Sequence, residues 1–355
     1  MNAKFRLFDD NKTMFDAAIN DILQAKETIC LEIYRFGQDS MGKKFSDALI
    51  QKAKEGVNIK LLVDAWGTGQ NETFFEPLIK AGVQFRIYHK LIWDRGYLSK
   101  NHCRNHRKLL IIDSNVAYIG SSNITTYSLP WRELNLRIED TGLTAILTRS
   151  FKNSYRIYNR YSFRKGKGKR DVKYGDWLFV QDLPSPYRQN IKGKYEQMID
   201  KATREVIIET PYFLPGYRLR KKLGEAAQRG VRVVIITPFH SDVHAVDIIR
   251  RHYSGILHKS GVELQFYSPG NLHAKCVMID NAVFSISSAN FDYRSFRYQY
   301  ELALMGRDTD VLKLLRQHID LSLDCCQPFN YKTWKSRSPI ERLIERLLLP
   351  FRHLF

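Results

Sequence analysis

The chain has 355 residues, 44% hydrophobic and 26% charged, enough to bury a core in two domains of ordinary size and too apolar for a disordered chain. Its 56 lysines and arginines against 37 aspartates and glutamates leave a formal charge of +19, more than solubility needs, so the expected partner is anionic, a nucleic acid or an acidic membrane. Five cysteines, Cys30, Cys103, Cys276, Cys325 and Cys326, form neither an even framework nor a CxxC pair, which argues against a disulfide scaffold and for a reducing compartment.

From the N-terminus, apolar spacing predicts a helix over 14–25, a strand in ETICLEIYRF (27–36), a helix over 42–55 and a strand after Gly56. A helix over 72–81, a strand after Gly82 and the strand HRKLLIID (106–113) follow. The same order then returns. A helix over 192–203 precedes REVIIETPYF (204–213), a helix over 218–229 precedes a strand after Gly230, and a helix over 246–259 precedes a strand after Gly261 and then HAKCVMID (273–280). The glycines are natural helix C-caps, and the β-branched runs behind them read as strands buried on both faces.

Strands alternating with helices imply α/β layers in each half, with helices covering a largely parallel or mixed sheet. The Gly-, Lys- and Arg-rich stretch 163–171 is the expected linker between a first domain, 1–162, and a second, 172–337, with 338–355 as a separate C-terminal helix.

Within the repeat, His106-x-Lys108-x4-Asp113 recurs as His273-x-Lys275-x4-Asp280. In both copies an Asn follows ten residues after the Asp, as Ser121-Ser122-Asn123 and Ser288-Ala289-Asn290. One bare match would be weak evidence; two extended copies at matching places in a repeat make coincidence a poor explanation. Alternate side chains of a strand share a face, so each His projects with its Lys. Asp113 and Asp280 belong to the motif and so to the candidate catalytic set. Their odd spacing and place at the strand end nevertheless assign them a structural role, a carboxylate fixing a turn through backbone N–H groups.

Two imidazoles and two ammonium groups are what a phosphodiester transfer needs: a nucleophile, an acid for the leaving alcohol and positive charge for the phosphoryl oxygens. No metal or other cofactor is required, because the ammonium groups and the Ser and Asn donors supply what Mg²⁺ supplies elsewhere. A nucleophilic imidazole also needs a carboxylate to fix its tautomer. Glu133 and Glu301 are the candidates, 27 and 28 residues after their histidines, in segments that read as strands returning beside the motif strand. His102, Cys103 and His106 cluster, but with no second ligand pair at a matching distance they are not expected to bind zinc.

These residues resemble the phospholipase D superfamily over nearly the whole chain. REVIIETPYFLPGYR (204–218), GVRVVIITPFHSD (230–242) and SSANFDYRSF (287–296) look like bacterial cardiolipin synthases rather than the superfamily's nucleases. The resemblance implies two tandem α/β/α sandwich domains related by a pseudo-twofold axis with one site at their interface, and His106 as the usual nucleophile. It also implies transfer of a phosphatidyl group to phosphatidylglycerol or a related acceptor, with phosphatidylethanolamine a possible substrate and nucleic acid less favoured. The chain departs from the family pattern in having Ser287 where a glycine is usual, expected only to alter loop dihedrals, and the N-terminal membrane helices of many relatives are not expected within these 355 residues.

The segment 338–355 opens with Ser338, Pro339 and Glu341, a capping box with proline in the first turn. Ile340, Leu343, Ile344, Leu347 and Leu348 then form one apolar stripe with Arg342 and Arg346 off it, a pattern equally suited to a bilayer interface and to packing on its own domain. With no run of about 18 apolar residues, any membrane is expected to be met from the surface, at the cytoplasmic face, and no obligate protein partner is implied. The loop carrying Tyr88, Lys90, Trp93, Arg95, Tyr97, Lys100 and Arg104 is expected to border the site's entrance, or to bury half of its aromatics.

Overall fold

The computed structural model describes residues 4–69, 71–91, 101–159, 171–185 and 187–354. The first half runs β1 (Lys4–Asp10), α1 (Asn11–Gln24), β2 (Thr28–Ile33), α2 (Ser40–Lys54), β3 (Asn58–Asp64), α3 (Ala65–Thr68), α4 (Glu76–Lys80) and β4 (Gln84–Tyr88). It continues with β5 (Arg104–Asn105), β6 (Lys108–Ile112), β7 (Val116–Gly120), β8 (Arg132–Glu139) and α5 (Thr141–Ile157). The second half runs β9 (Asp171–Tyr174), β10 (Trp177–Asp182), α6 (Asn190–Lys201), β11 (Glu205–Glu209), α7 (Tyr217–Gln228), β12 (Arg232–Pro238), α8 (His244–Lys259) and β13 (Glu263–Tyr267). After these come β14 (Cys276–Ile279), β15 (Val283–Ser287), α9 (Tyr293–Tyr298), β16 (Gln299–Gly306), α10 (Thr309–Asp324), β17 (Cys326–Pro328), α11 (Tyr331–Lys335) and α12 (Pro339–Leu348). Residues 163–170 of the expected linker lie outside the described residues, and Asp171 already belongs to β9.

The two halves share one topology. The first sheet is ordered β1-β8-β7-β6-β2-β3-β4, and the second carries the same series as β10-β16-β15-β14-β11-β12-β13, extended by β9 and β17 at its edges. Both sheets are mixed: β2 is parallel to β3 and antiparallel to motif strand β6, and β11 is parallel to β12 and antiparallel to β14.

Local chemistry sets the joints. Asp10, Asp39 and Asp140 each cap a helix by accepting first-turn N–H groups, from Thr13 (2.8 Å), Met41 (3.0 Å) and Leu143 (2.7 Å). The Asp10 cap starts α1 at Asn11, before the apolar periodicity that begins at Met14. At the other ends, Gly56 and Gly230 take φ of 92° and 85°, a conformation that costs glycine little and lets the next strand begin at once.

Helices α1 and α2 cover one face of the first sheet with Phe15 and Leu49, and α7 and α8 cover the second with Leu219 and Ile249. The remaining faces meet through helices that the repeat pattern did not flag: Leu147 and Phe151 of α5 and Leu315 and Ile319 of α10 share one cluster with Ile111 and Met278. The molecule is thus two α/β/α sandwiches joined by a common apolar layer.

Candidate active site

Short strands bring the two motifs together. β5 runs parallel to the start of β16, with Arg104 beside Gln299 and Asn105 beside Tyr300, and the His106 N–H donates to Tyr300 O (3.1 Å). The mirror contact joins the other half: Leu272 pairs in parallel with Arg132, and the His273 N–H donates to Arg132 O (2.7 Å). Each histidine is therefore carried against the strand that bears the other half's glutamate.

That register decides the pairing. His106 Nδ1 lies 2.9 Å from Glu301 Oε1, and His273 Nδ1 lies 2.9 Å from Glu133 Oε1. Each glutamate orients the histidine of the opposite half, whereas sequence spacing tied it to the histidine of its own. Ser121 and Ser288 hydroxyls donate to the second oxygens of Glu133 and Glu301, and each also accepts a strand N–H, from Leu134 (2.9 Å) and Leu302 (3.1 Å). These serines brace the glutamates.

Lys108 and Lys275 are buried, and their ammonium groups donate to the carbonyls of His106 (2.7 Å) and His273 (2.8 Å). Burial pushes Lys275 down to about 8 and Lys108 well below its ordinary range, where Lys275 adds repulsion. Burial, with the two ammonium groups, also holds His106 well below its usual value, and His273 is lowered by burial despite Glu133. The glutamates differ. Burial lifts Glu301 to about 7, while at Glu133 the imidazole of His273 and the charge of Lys275 outweigh burial and keep the carboxyl below its usual range.

His106 and His273 line one cleft of about 560 Å³ together with Asn123 and Asn290. Its walls include residues that the motif search did not single out. Tyr34 sits edge-on to His106 (centroids 5.0 Å) and Trp131 lies 5.4 Å from His273. Trp66 carries the Arg294 guanidinium over its ring (5.2 Å). Trp131 stood two residues before Glu133 in the predicted strand, but nothing periodic marked it. Asn290 Oδ1 is buried with no hydrogen-bond partner among the described residues, which leaves an acceptor for substrate.

Asp113 and Asp280 are spent elsewhere. Asp113 accepts the N–H groups of Lys26, Glu27 and Thr28 at 2.8 Å each, and Asp280 those of Thr203, Arg204 and Glu205 at 2.7–2.9 Å. The N–H groups come from the segment entering β2 or β11, so each carboxylate ties the motif hairpin to the neighbouring strand. Burial works against these carboxyls, but the three N–H donors hold both below the usual range.

The loop before the first motif reaches the cleft with Asn101 and His102, while Tyr88 takes the buried role, the alternative for the loop's aromatics. Arg104 is fully buried as well, donating to His89 O (3.0 Å) 3.5 Å from Asp64. Trp93, Arg95, Tyr97 and Lys100 lie outside the described residues. Ser287 has no left-handed φ, so its difference from Gly120 is one of packing. A Cβ on Gly120 would come within 2.5 Å of Asn135 Oδ1, whereas the residue facing Ser287 is Ala303, which leaves room for a hydroxyl that Tyr195 contacts at 3.2 Å.

A family model described as cardiolipin synthase, PLD-like domain, matches residues 18–155 and 195–321, one match on each half of this crossed site. The chain belongs to the cardiolipin synthase family of phospholipase D-like proteins. It is 31% identical to a cardiolipin synthase of Clostridium perfringens strain 13, over 97% of this chain and 76% of that one. It is 32% identical to the major cardiolipin synthase of Bacillus subtilis strain 168, over 96% and 74%. Among solved structures, phosphatidylserine synthase of Haemophilus influenzae Rd KW20 superposes with a TM-score of 0.78 at 14% identity, over 99% of this chain and 95% of that one. Polyphosphate kinase of Porphyromonas gingivalis superposes at 0.66 and 13% identity, over 99% and 54%. Those two likenesses show the fold. As a cardiolipin synthase family member, the chain is a phosphatidyltransferase of the phospholipase D type.

Proposed function

We propose that the chain transfers a phosphatidyl group from one phosphatidylglycerol to the headgroup hydroxyl of a second, with phosphatidylethanolamine as an alternative donor, through a phosphohistidine and without a metal. The observation that carries this reading is the crossed pair of imidazole–glutamate contacts at one cleft, with the buried Lys108 and Lys275 ammonium groups bonded to the carbonyls of the two histidines behind it.

With Nδ1 turned to Glu301, Nε2 of His106 is the nitrogen left for attack, and burial with nearby positive charge keeps it unprotonated. Burial lowers His273 as well, but the ionised Glu133 against its Nδ1 favours the charged form, so of the two imidazoles it is the one suited to take and give the proton. His106 Nε2 bonds to phosphorus, the P–O bond to the headgroup glycerol breaks, and His273 gives its proton to the departing alkoxide. A second lipid then enters; His273 takes the proton of its hydroxyl, that oxygen attacks phosphorus, and the P–N bond breaks to restore His106. Lys108 and Lys275 balance the charge on the phosphoryl oxygens as it builds. Tyr34, Trp66, Tyr127 and Trp131 wall the cleft with rings, which favours an alcohol acceptor over a resident water.

The test is incubation of the protein in EDTA with phosphatidylglycerol and phosphatidylethanolamine liposomes, followed by mass spectrometry of the lipids, with plasmid and single-stranded DNA in parallel. Cardiolipin with released glycerol is expected, and His106→Ala and His273→Ala should each lower turnover by about 10³-fold or more. Phosphatidic acid alone would make the chain a hydrolase, and cut DNA with unchanged lipid a nuclease. Near-normal turnover in either variant would sink the single shared site.

A further inference from the structure

The C-terminal helix faces the wrong way for packing. A surface helix ordinarily turns its apolar stripe to the core; in α12, Ile340, Leu343 and Leu347 are 70%, 57% and 62% exposed. The side pressed on the protein carries only Leu348 of the stripe, against the second half's core, together with Glu345, 2% exposed and held by Arg337 (2.5 Å), and α12 is pinned to α8 by Glu341 and Arg251 (3.4 Å). The helix is a formed element, because the Ser338–Glu341 capping box closes its first turn.

The stripe runs on into the catalytic cleft. Residues Leu349–Leu354 continue from α12 as a 3-10 turn in which Phe351 is exposed and Leu354 lines the cleft with His106 and His273. The turn is seated by His353, whose ring packs on Tyr293 (4.5 Å). Two more exposed rings of the cleft wall, Trp66 and Tyr127, lie on the opposite half. From 331 to 355 six lysines and arginines stand against two acids, Glu341 and Glu345, and both acids are ion-paired.

We infer that this stripe and its basic border are a docking surface for an anionic phospholipid bilayer, which holds the cleft mouth at the headgroups so that lipid reaches the histidines without crossing water. Charge complementarity selects the occupant: an apolar strip flanked by Arg342, Arg346 and Arg352 matches an interface of acyl chains beneath acidic headgroups. A second copy fits less well, since a ten-residue helix offers much less than the ~800 Å² per partner of a standard protein interface. The inference rests on the phosphatidyltransferase reading for its cargo, but vesicle binding is measured without turnover.

The experiment is flotation of the full chain with vesicles of phosphatidylglycerol and phosphatidylethanolamine, and with vesicles of phosphatidylcholine alone. It compares the unaltered protein with Leu343→Glu/Leu347→Glu and, as a milder pair, Arg342→Gln/Arg346→Gln. Expected are preference for the anionic vesicles and about tenfold weaker binding in each pair. Melting temperature and turnover on a dispersed short-chain phosphatidylglycerol should stay unchanged. Unchanged flotation in both pairs overturns the inference, as does a dimer of the unaltered chain that the leucine pair converts to monomer. Vesicle binding lost in the variants with no lipid product from any protein supports the docking surface and counts against phosphatidyl transfer instead.

Discussion

Lys275 shows what the site costs the molecule that holds it. In the unfolded chain its ammonium keeps a proton up to the ordinary 10.5, whereas burial in the folded state brings this down to about 8. Between those values the folded protein binds fewer protons than the unfolded one, so stability rises with pH across the window and the full cost is present below about 8. By the pKa difference that cost is on the order of 3 kcal/mol. Lys275→Met should therefore raise the melting temperature at pH 7, with the gain shrinking towards pH 10.5, while turnover falls by about 10²-fold or more. A lower melting temperature at pH 7 would mean that pairing with Glu133 and Glu301 outweighs desolvation.

Among the elements, the motif hairpins carry two kinds of information on one strand. At its beginning His106 lines the cleft with Lys108 bonded to its carbonyl, and at its end Asp113 clamps the segment entering β2. Asp113 and Ser114 both take positive φ, of 49° and 50°, so the turn is held in a conformation that non-glycine residues rarely adopt, and the three N–H contacts offset that strain. Asp113→Ala should cost about 1–2 kcal/mol in denaturant unfolding and leave kcat within about threefold. A collapse of kcat with stability intact would instead give this carboxylate a part in the chemistry. The backbone N–H donors hold the carboxyl below the usual range, so its contribution is present above about 4 and fades as pH falls through the folded value.

At the scale of the whole molecule, the repeat does not make two independent parts. Ile111, Leu147, Ile207, Met278 and Leu315 belong to one buried cluster drawn from both halves, and Arg132 of β8 reaches across to Ser322 Oγ (2.7 Å) and His318 O (2.8 Å) of α10. Separating the halves would expose that layer and deprive the part-buried Arg132 guanidinium of its partners. Calorimetry should therefore show one cooperative unfolding transition. Two transitions, each assignable to one half, would show that the cores stand alone and that only the site is shared.

The sequence by itself determined the α/β alternation, the tandem repeat and the two His-x-Lys motifs, because apolar periodicity and matched spacing are properties of neighbouring residues. It also marked Glu133 and Glu301, and the capping box that begins α12. The cross-pairing of those glutamates was decided by tertiary structure, since it depends on β5 lying beside β16 and Leu272 beside Arg132, contacts between residues far apart in the chain. The same holds for the aromatic walls of the cleft, for the burial of Arg104 and Tyr88, and for the outward face of α12. Local pattern can say that a helix has an apolar stripe; only the placement of Arg337 against Glu345 says which side of that helix is left for something else.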